Sequence, residues 1–557
     1  MKTPDSSVPP LPRRGQQRAF WRAPASTSAL AWSLLRAASV HGRLLLVVAR
    51  DNHHAHQLES DLQTLSGGHG DVPMLVFPDW ETLPYDHFSP HPDIVSQRLS
   101  TLNRLPQLTR GLVVVPVQTL MQRLPPLAWI AGQTFDLQVG QRFDLDAEKR
   151  RLEAAGYRNV PQVLDPGDFA VRGGLLDVYP MGADAPFRVE LFDQDIESIR
   201  SFDPESQRSL DKVEAIRMLP GREVPLDEAA RERAMEALGE RFDIDQRRSS
   251  LYQDLKSGLS PSGVEYYLPL FFEPPRGRFG ERDAGDATAT LFDYLPEGAL
   301  PVLAPGALAA ADHAWAQIGD RYEQRRHDIE RPLLPPAELW LPPDTLRECL
   351  NRGERVDVAD DSHAQVTQAV ALGDQPAPDL PVSTREVDSA AALKSFLGSY
   401  PGRVLLAADS AGRREALIDL LAPTGLKPQV VADFAGFIAA ENDARFAVAV
   451  APLDNGFALD APQVTILTER QLFPERATQP RRARRAGREP EAIIRDLGEL
   501  TEGAPIVHED HGVGRYRGLV VLEAGGQPGE YLDIEYAKGD RLYVPVSQLH
   551  LVNRYSG

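Results

Sequence analysis

The chain has 557 residues, 42% hydrophobic and 25% charged, a globular composition with material for about three or four cores at roughly 150 residues each. A wholly disordered chain is excluded. Asp and Glu number 80 against 60 Lys and Arg, a net charge of −20; a general DNA coat is excluded too, and any phosphate-binding face must be local.

Residues 1–17 read as frayed. SALAWSLLRAASVHG follows as an amphipathic helix, LLLVVAR as a buried strand and HAHQLESDLQTL as a second helix. MLVFPD and LVVVPVQTLMQRL repeat the strand-then-helix rhythm, which predicts a parallel sheet in an α/β layer. From 134 to about 218 the segments shorten, with LLDVYPMG, FRVELFD and IESIRSFD as strands of a small α+β insert. Residues 219–372 turn helical again around DEAARERAMEALGERF, with a loop at RGRFGERDAGDATAT. GDQPAPDL reads as a linker. A second α/β unit follows within 373–470, on the strands VLLAA, FAVAVA and QVTILT. A basic linker, 471–499, contains the stretch RATQPRRARRAGREP, and a compact β-rich block fills 500–557.

A phosphate-binding loop needs glycines around phosphate and a following lysine, and no Gly-Lys dipeptide occurs in the chain. Where such a loop would sit, Ala23, Ser26, Thr27 and Ser28 precede a helix without a lysine. The one Asp-Glu pair, Asp227-Glu228, opens a charged helix, where it complements the helix dipole. His53, His54 and His56 read as a solvated helix surface. The lone Cys349 excludes an internal disulfide and reads as a small buried residue on a helix. No segment has signal-peptide character, and the longest apolar runs are far below a membrane span. No catalysis, metal or membrane partner is expected, and the location expected is cytoplasmic.

Four segments carry a resemblance: Trp80 to Leu105 (WETLPYDHFSPHPDIVSQRLSTLNRL); the 157–203 stretch; GVEYYLPLFFEP with TLFDYLPEGA; and VHEDHGVGRYRGLVVLEAGGQPGEYLDIEYAKGDRLYVPVSQLHLV. Together the chain resembles the N-terminal part of the transcription-repair coupling factor (Mfd) family. The resemblance implies an α/β multidomain chain: a degenerate P-loop-like parallel sheet domain (1–133 and 219–372), a UvrA-binding insert (134–218), a middle α/β domain (373–470), a basic linker, and a small Tudor/CarD-like β-barrel that interacts with RNA polymerase. In the family a DNA translocase motor follows, with its ATP and Mg. This chain ends at Gly557 before it, as a fragment or a truncation, and no cofactor is expected here. The family's UvrB-like module also restrains the motor, so this chain is expected to bind UvrA without that restraint.

The implied function is an adaptor linking stalled RNA polymerase to UvrA in nucleotide excision repair. Its rivals are an active ATP-dependent translocase and a stand-alone CarD-like regulator. At strand spacing Arg188, Glu190 and Phe192 share one face, while Phe187, Val189 and Leu191 share the core face. The resemblance makes Arg172, Arg188 and Phe192 the UvrA contacts. It makes Val507, His508, Glu509, Arg515 and Tyr516 the contacts to the polymerase β subunit, through an open sheet edge. The family usually has an apolar residue where Glu509 stands. Arg481, Arg482, Arg484 and Arg485, with Arg476 and Arg488 around them, form a local positive field suited to weak contact with upstream double-stranded DNA. Tyr85 and Phe88 read as core aromatics, not as a DNA-clamping hairpin.

Overall fold

The computed structural model describes residues 8–554 apart from 13–15, 68–71, 243, 274–286, 329, 360–368, 383–388, 440–442, 474–502, 504, 509–511, 525–526, 537–540 and 546–551. The loop expected at 276–290 and the arginine stretch fall largely outside these residues.

Six parallel strands form the first sheet, in the order Arg18–Arg22, Arg355–Ala359, Leu300–Leu303, Leu44–Ala49, Gly111–Pro116, Met74–Val76. Leu44–Ala49 and Gly111–Pro116 are buried at every position, as strands covered on both faces must be. The helix Thr27–His41 starts where the Ser26 side chain accepts from the Ala29 N–H, and stops at Gly42 (φ 59°), whose N–H reaches Ala38 O. Two strands of this sheet, Arg18–Arg22 and Arg355–Ala359, escaped the sequence reading.

The insert leaves and rejoins this domain through an antiparallel pair, Phe135–Gln138 with Ala215–Met218. Beyond that stem lies a six-stranded sheet in the order Ser209–Val213, Asp195–Phe202, Phe187–Phe192, Leu175–Val178, Asp168–Arg172, Arg158–Asn159. Its Leu176, Val178, Val189 and Ile199 join the same core as Trp80, Leu99 and Tyr266. The insert is therefore seated on the first domain by shared apolar burial.

A third sheet is mixed: Asp374–Pro376, Phe457–Leu459, Val464–Thr468, Arg403–Ala408, Phe446–Val450, Gln429–Val430. Its first two pairings are antiparallel and the rest parallel. This corrects the reading of GDQPAPDL as a linker, because Asp374–Pro376 is an edge strand paired with Phe457–Leu459. An edge tolerates the proline that a central strand would reject. The third sheet and the first domain share one core, in which Leu34, Leu45 and Val47 meet Leu405, Phe434 and Phe437. Trp32 meets Phe434 edge-on at 5.6 Å between ring centres.

The C-terminal block is a five-stranded antiparallel sheet, in the order Arg541–Pro545, Gln527–Glu535, Gly512–Ala524, Pro505–His508, Val552–Arg554. Pro545 lies on an edge strand, as its chemistry predicts. Gly525-Gly526 and Gly539-Asp540 lie outside the described residues, although Ala524 pairs with Gln527 and Glu535 with Arg541 on either side of them.

Candidate functional site

The strand registers of the insert place the three candidate residues on one face. Asp177 is directly opposite Arg188 and Ala170, so Arg172, Arg188, Glu190 and Phe192 stand on the same side as Asp177. Phe192 is 73% exposed, a large apolar side chain with no cover. It follows the Glu190–Leu175 pair, next to the Gly173-Gly174 turn, where Leu191 N–H donates to Gly174 O. Gly173 needs its freedom here, with φ at 60°. Arg172 ends its strand at the same turn, and its guanidinium donates to Pro161 O.

Arg188 differs from the other two. Its guanidinium grips Asp177 in a two-pronged pair, Nε–Oδ1 2.7 Å and Nη2–Oδ2 2.8 Å, while Asp177 is buried. The guanidinium also lies 5.0 Å from the Phe202 ring centre. Asp177 raises the Arg188 pKa further, so the charge is permanent. The sequence reading found Arg188 but not Asp177, because an ion pair across a strand register is invisible until the register is known.

The segment Trp80 to Leu105 makes the insert's seat. Arg98 is fully buried and binds Glu223 through Nε–Oε1 2.5 Å and Nη2–Oε2 3.1 Å, and Pro78 O through Nη1 at 2.8 Å. Glu223 follows the insert's return strand, so this pair ties the chain where it leaves the insert to the helix Pro92–Arg104. Phe77 and Trp80 lie 4.2 and 5.1 Å from the guanidinium. Tyr85 is buried as expected, with its hydroxyl on Leu334 O, while Phe88 is half-buried.

The entrance to Thr27–His41 is held by polar groups of the third sheet's domain. Asp374 of the third sheet accepts from the Ala25 N–H at 2.6 Å. Behind it, Ser28 donates to the buried Asp61 at 2.7 Å, and the N–H groups of Asp454 and Asn455 reach Asp61 and Ser28. The expectation of a solvated histidine surface fails for His54, which is buried, with a pKa pushed down to about 4 chiefly by burial. His56 keeps a charged setting: the carboxylates of Glu59 and Glu81, each 3.7 Å from a ring nitrogen, raise its pKa to about 9. Cys349 lies on the helix Pro343–Asn351 and is only partly buried.

In the C-terminal sheet the candidate residues separate. Pro505–His508, which holds Val507 and His508, is hydrogen-bonded on both sides, so it is not the open edge expected. Among the described residues the outer strands of this sheet are Arg541–Pro545 and Val552–Arg554. Arg515 is exposed and donates to Gly503 O at 3.1 Å. Tyr516 is buried with Ile506, Leu532, Ile534 and Val544, which moves it from the contact surface to the core. Gly514 is held by close approach: a Cβ there would fall 2.5 Å from Ile534. Glu509, Arg481, Arg482, Arg484 and Arg485 lie outside the described residues. Among the described residues no acidic, His or Cys cluster could hold a metal ion, and no helix is long and apolar enough to cross a membrane.

Three domain models match: the UvrB interaction domain over residues 135–223, the MFD D3 domain over 396–472, and the CarD-like/TRCF RID domain over 500–556. The chain is similar to the transcription-repair-coupling factor of Escherichia coli, 39% identical over 93% of this chain and 43% of that protein. It is similar to that of Haemophilus influenzae, 39% identical over 92% and 43%, and to that of Myxococcus xanthus, 31% over 93% and 44%. The chain thus spans less than half the length of these relatives. The three domain models and the relatives together place the chain in the transcription-repair coupling factor family, over the N-terminal part of its members.

Proposed function

We propose that this chain is the adaptor portion of transcription-coupled nucleotide excision repair, joining RNA polymerase to UvrA. The insert face bearing Arg172, Arg188 and Phe192 is the UvrA contact. The observation that carries this reading is Phe192, 73% exposed beside a turn on a rigid sheet. Aromatic and arginine side chains of this kind anchor protein interfaces. The C-terminal sheet, as a CarD-like barrel, takes the polymerase β subunit, with strand addition at Arg541–Pro545 or Val552–Arg554 and with Arg515 alongside. Val507 and His508 contribute through side chains, because their strand's backbone is already paired, and Glu509 follows them in sequence as a further contact. The arginines at 481, 482, 484 and 485 touch upstream DNA phosphates.

The first domain retains a degenerate P-loop-like layout without nucleotide chemistry. Two facts support this: the absence of a Gly-Lys pair, and the Asp374 carboxylate at the Ala25 amide where a phosphate would be drawn. The test uses the immobilised 557-residue chain. UvrA and RNA polymerase should each be retained, Phe192→Ala should release UvrA alone, and DNA should stimulate no ATP turnover. Retention of UvrA by the variant would refute the face. ATP turnover would favour the rival translocase reading.

A further inference from the structure

At the root of the insert is a cavity of about 200 Å³, walled by Ser89, Gly156, Arg158, Gly167, Arg222 and Glu265. Its walls come from every part of the seat: the loop before Pro92–Arg104, both chain crossings of the insert, and Val264–Phe271. The two crossings touch backbone to backbone. Gly221 N–H donates to Ala155 O at 2.7 Å, and a Cβ on Gly221 would fall 2.6 Å from the Gly156 carbonyl carbon. The cavity is thus framed by backbone that cannot easily close in.

Arg222 lays its stem along Gly156, with Cγ 3.2 Å from where a Cβ would be. Among the described residues its guanidinium makes no hydrogen bond, and burial lowers its pKa. Glu265, the nearest carboxyl, is buried and accepts from the Ser89 hydroxyl at 2.8 Å; burial pushes its pKa up, against the pull of Arg222. Arg158 is held from behind by Asp168 at 2.8 Å and Asp165 at 3.6 Å through one nitrogen. The ionisable groups facing the cavity are therefore two guanidiniums, Arg222 and Arg158, against one carboxyl, Glu265. With no hydrogen bond of its own among the described residues, the half-buried Arg222 guanidinium has its donors available, and its planar fork matches oxyanions.

We propose that this cavity binds a small oxyanion, with phosphate as the simplest case, between Arg222 and Arg158. The volume lies below the roughly 300–1,000 Å³ of sites for drug-sized molecules and suits a tetrahedral anion with water. Arg158 opens the strand Arg158–Asn159, which pairs with Asp168–Arg172 and so leads to Arg172. A bound anion would tie the exposed insert sheet to its seat.

The experiment is thermal unfolding of the full 557-residue chain in rising phosphate, with chloride replacing it at constant ionic strength. A saturable stabilisation by phosphate is expected. Arg222→Met should weaken the apparent affinity about tenfold or more, as loss of a charge-assisted hydrogen bond does. Arg142→Ala, an exposed arginine outside the cavity, should leave it unchanged. Should Arg222→Met not fold, Arg222→Lys keeps the charge but loses the fork and should weaken binding several-fold. A phosphate response no greater than that of chloride, or an unaltered response in the folded Arg222 variant, would overturn the proposal and leave the cavity to water alone.

Discussion

Arg188 and Phe192 stand four residues apart on one strand face, yet their removal should have different physical consequences. Arg188→Ala leaves Asp177 buried without its partner. Asp177 sits at 5% side-chain exposure and Arg188 at 18%, so water screens the pair poorly. Breaking a buried pair costs about 3–5 kcal/mol, and the partial exposure of Arg188 favours the lower end, about 3 kcal/mol. At about 2 °C per kcal/mol for a unit of this size, the insert-bearing core should melt roughly 6 °C lower. Asp177→Asn in the same chain removes the stranded charge and should restore part of that loss. Phe192→Ala deletes an exposed ring with little to hold, so its melting point should stay within about 0.5 kcal/mol of the parent. The same change should nevertheless weaken UvrA binding by about 2 kcal/mol or more, roughly thirty-fold.

The assay pairs thermal unfolding with UvrA titration on all four proteins. Weak binding by Arg188→Ala alone would say little, because a loosened insert also binds poorly. Binding lost in Phe192→Ala at an unchanged melting point isolates the contact. If Arg188→Ala melts like the parent, or if Asp177→Asn lowers it further, the pairing argument is wrong.

Glu223→Gln strands the Arg98 charge at the insert's seat and should cost about 3–5 kcal/mol in denaturant unfolding, with Arg98→Met recovering part of it. His54 titrates near 6.5 when unfolded and about 4 when folded, so between those values the unfolded chain binds more protons. Stability should therefore fall as pH drops from 6.5 to 4, by up to about 1.4 kcal/mol per unit from this group, and His54→Leu should flatten that slope in pH-dependent unfolding. His56 runs the other way: its contribution is full below pH 6.5 and lost as pH rises through about 9, and His56→Gln should remove that alkaline decline. Asp374→Ala should speed hydrogen exchange at the Ala25 amide about tenfold without creating nucleotide-dependent protection.

How much of this was legible depended on the range of the physics involved. Fully buried strands such as Leu44–Ala49 declare themselves as unbroken apolar runs, and the insert's alternation revealed its two faces. Arg355–Ala359 did not, because Arg355 and Asp357 interrupt its apolar pattern. They pair with each other at 3.0 Å and are thereby tolerated inside a sheet. Asp374–Pro376 hid behind its proline, and Arg18–Arg22 behind its charges. His54 was misplaced for the same reason: on the helix Asn52–Leu65 a polar triplet looked solvated, although one of its members is buried.

The Asp374 contact gives the third sheet a definite physical role. The Asp374 carboxyl accepts from the Ala25 N–H at 2.6 Å, one residue ahead of the Ser26 cap, and so joins the third sheet to that helix entrance. The buried Ser28–Asp61 pair then accepts from two backbone amides of the third sheet's domain, so the polar groups of the entrance are satisfied from within the chain. Apolar packing of Trp32 on Phe434 adds area to the same contact. This joint locks the helix start to the third sheet's domain. It leaves the first domain as a rigid base from which the insert presents Phe192.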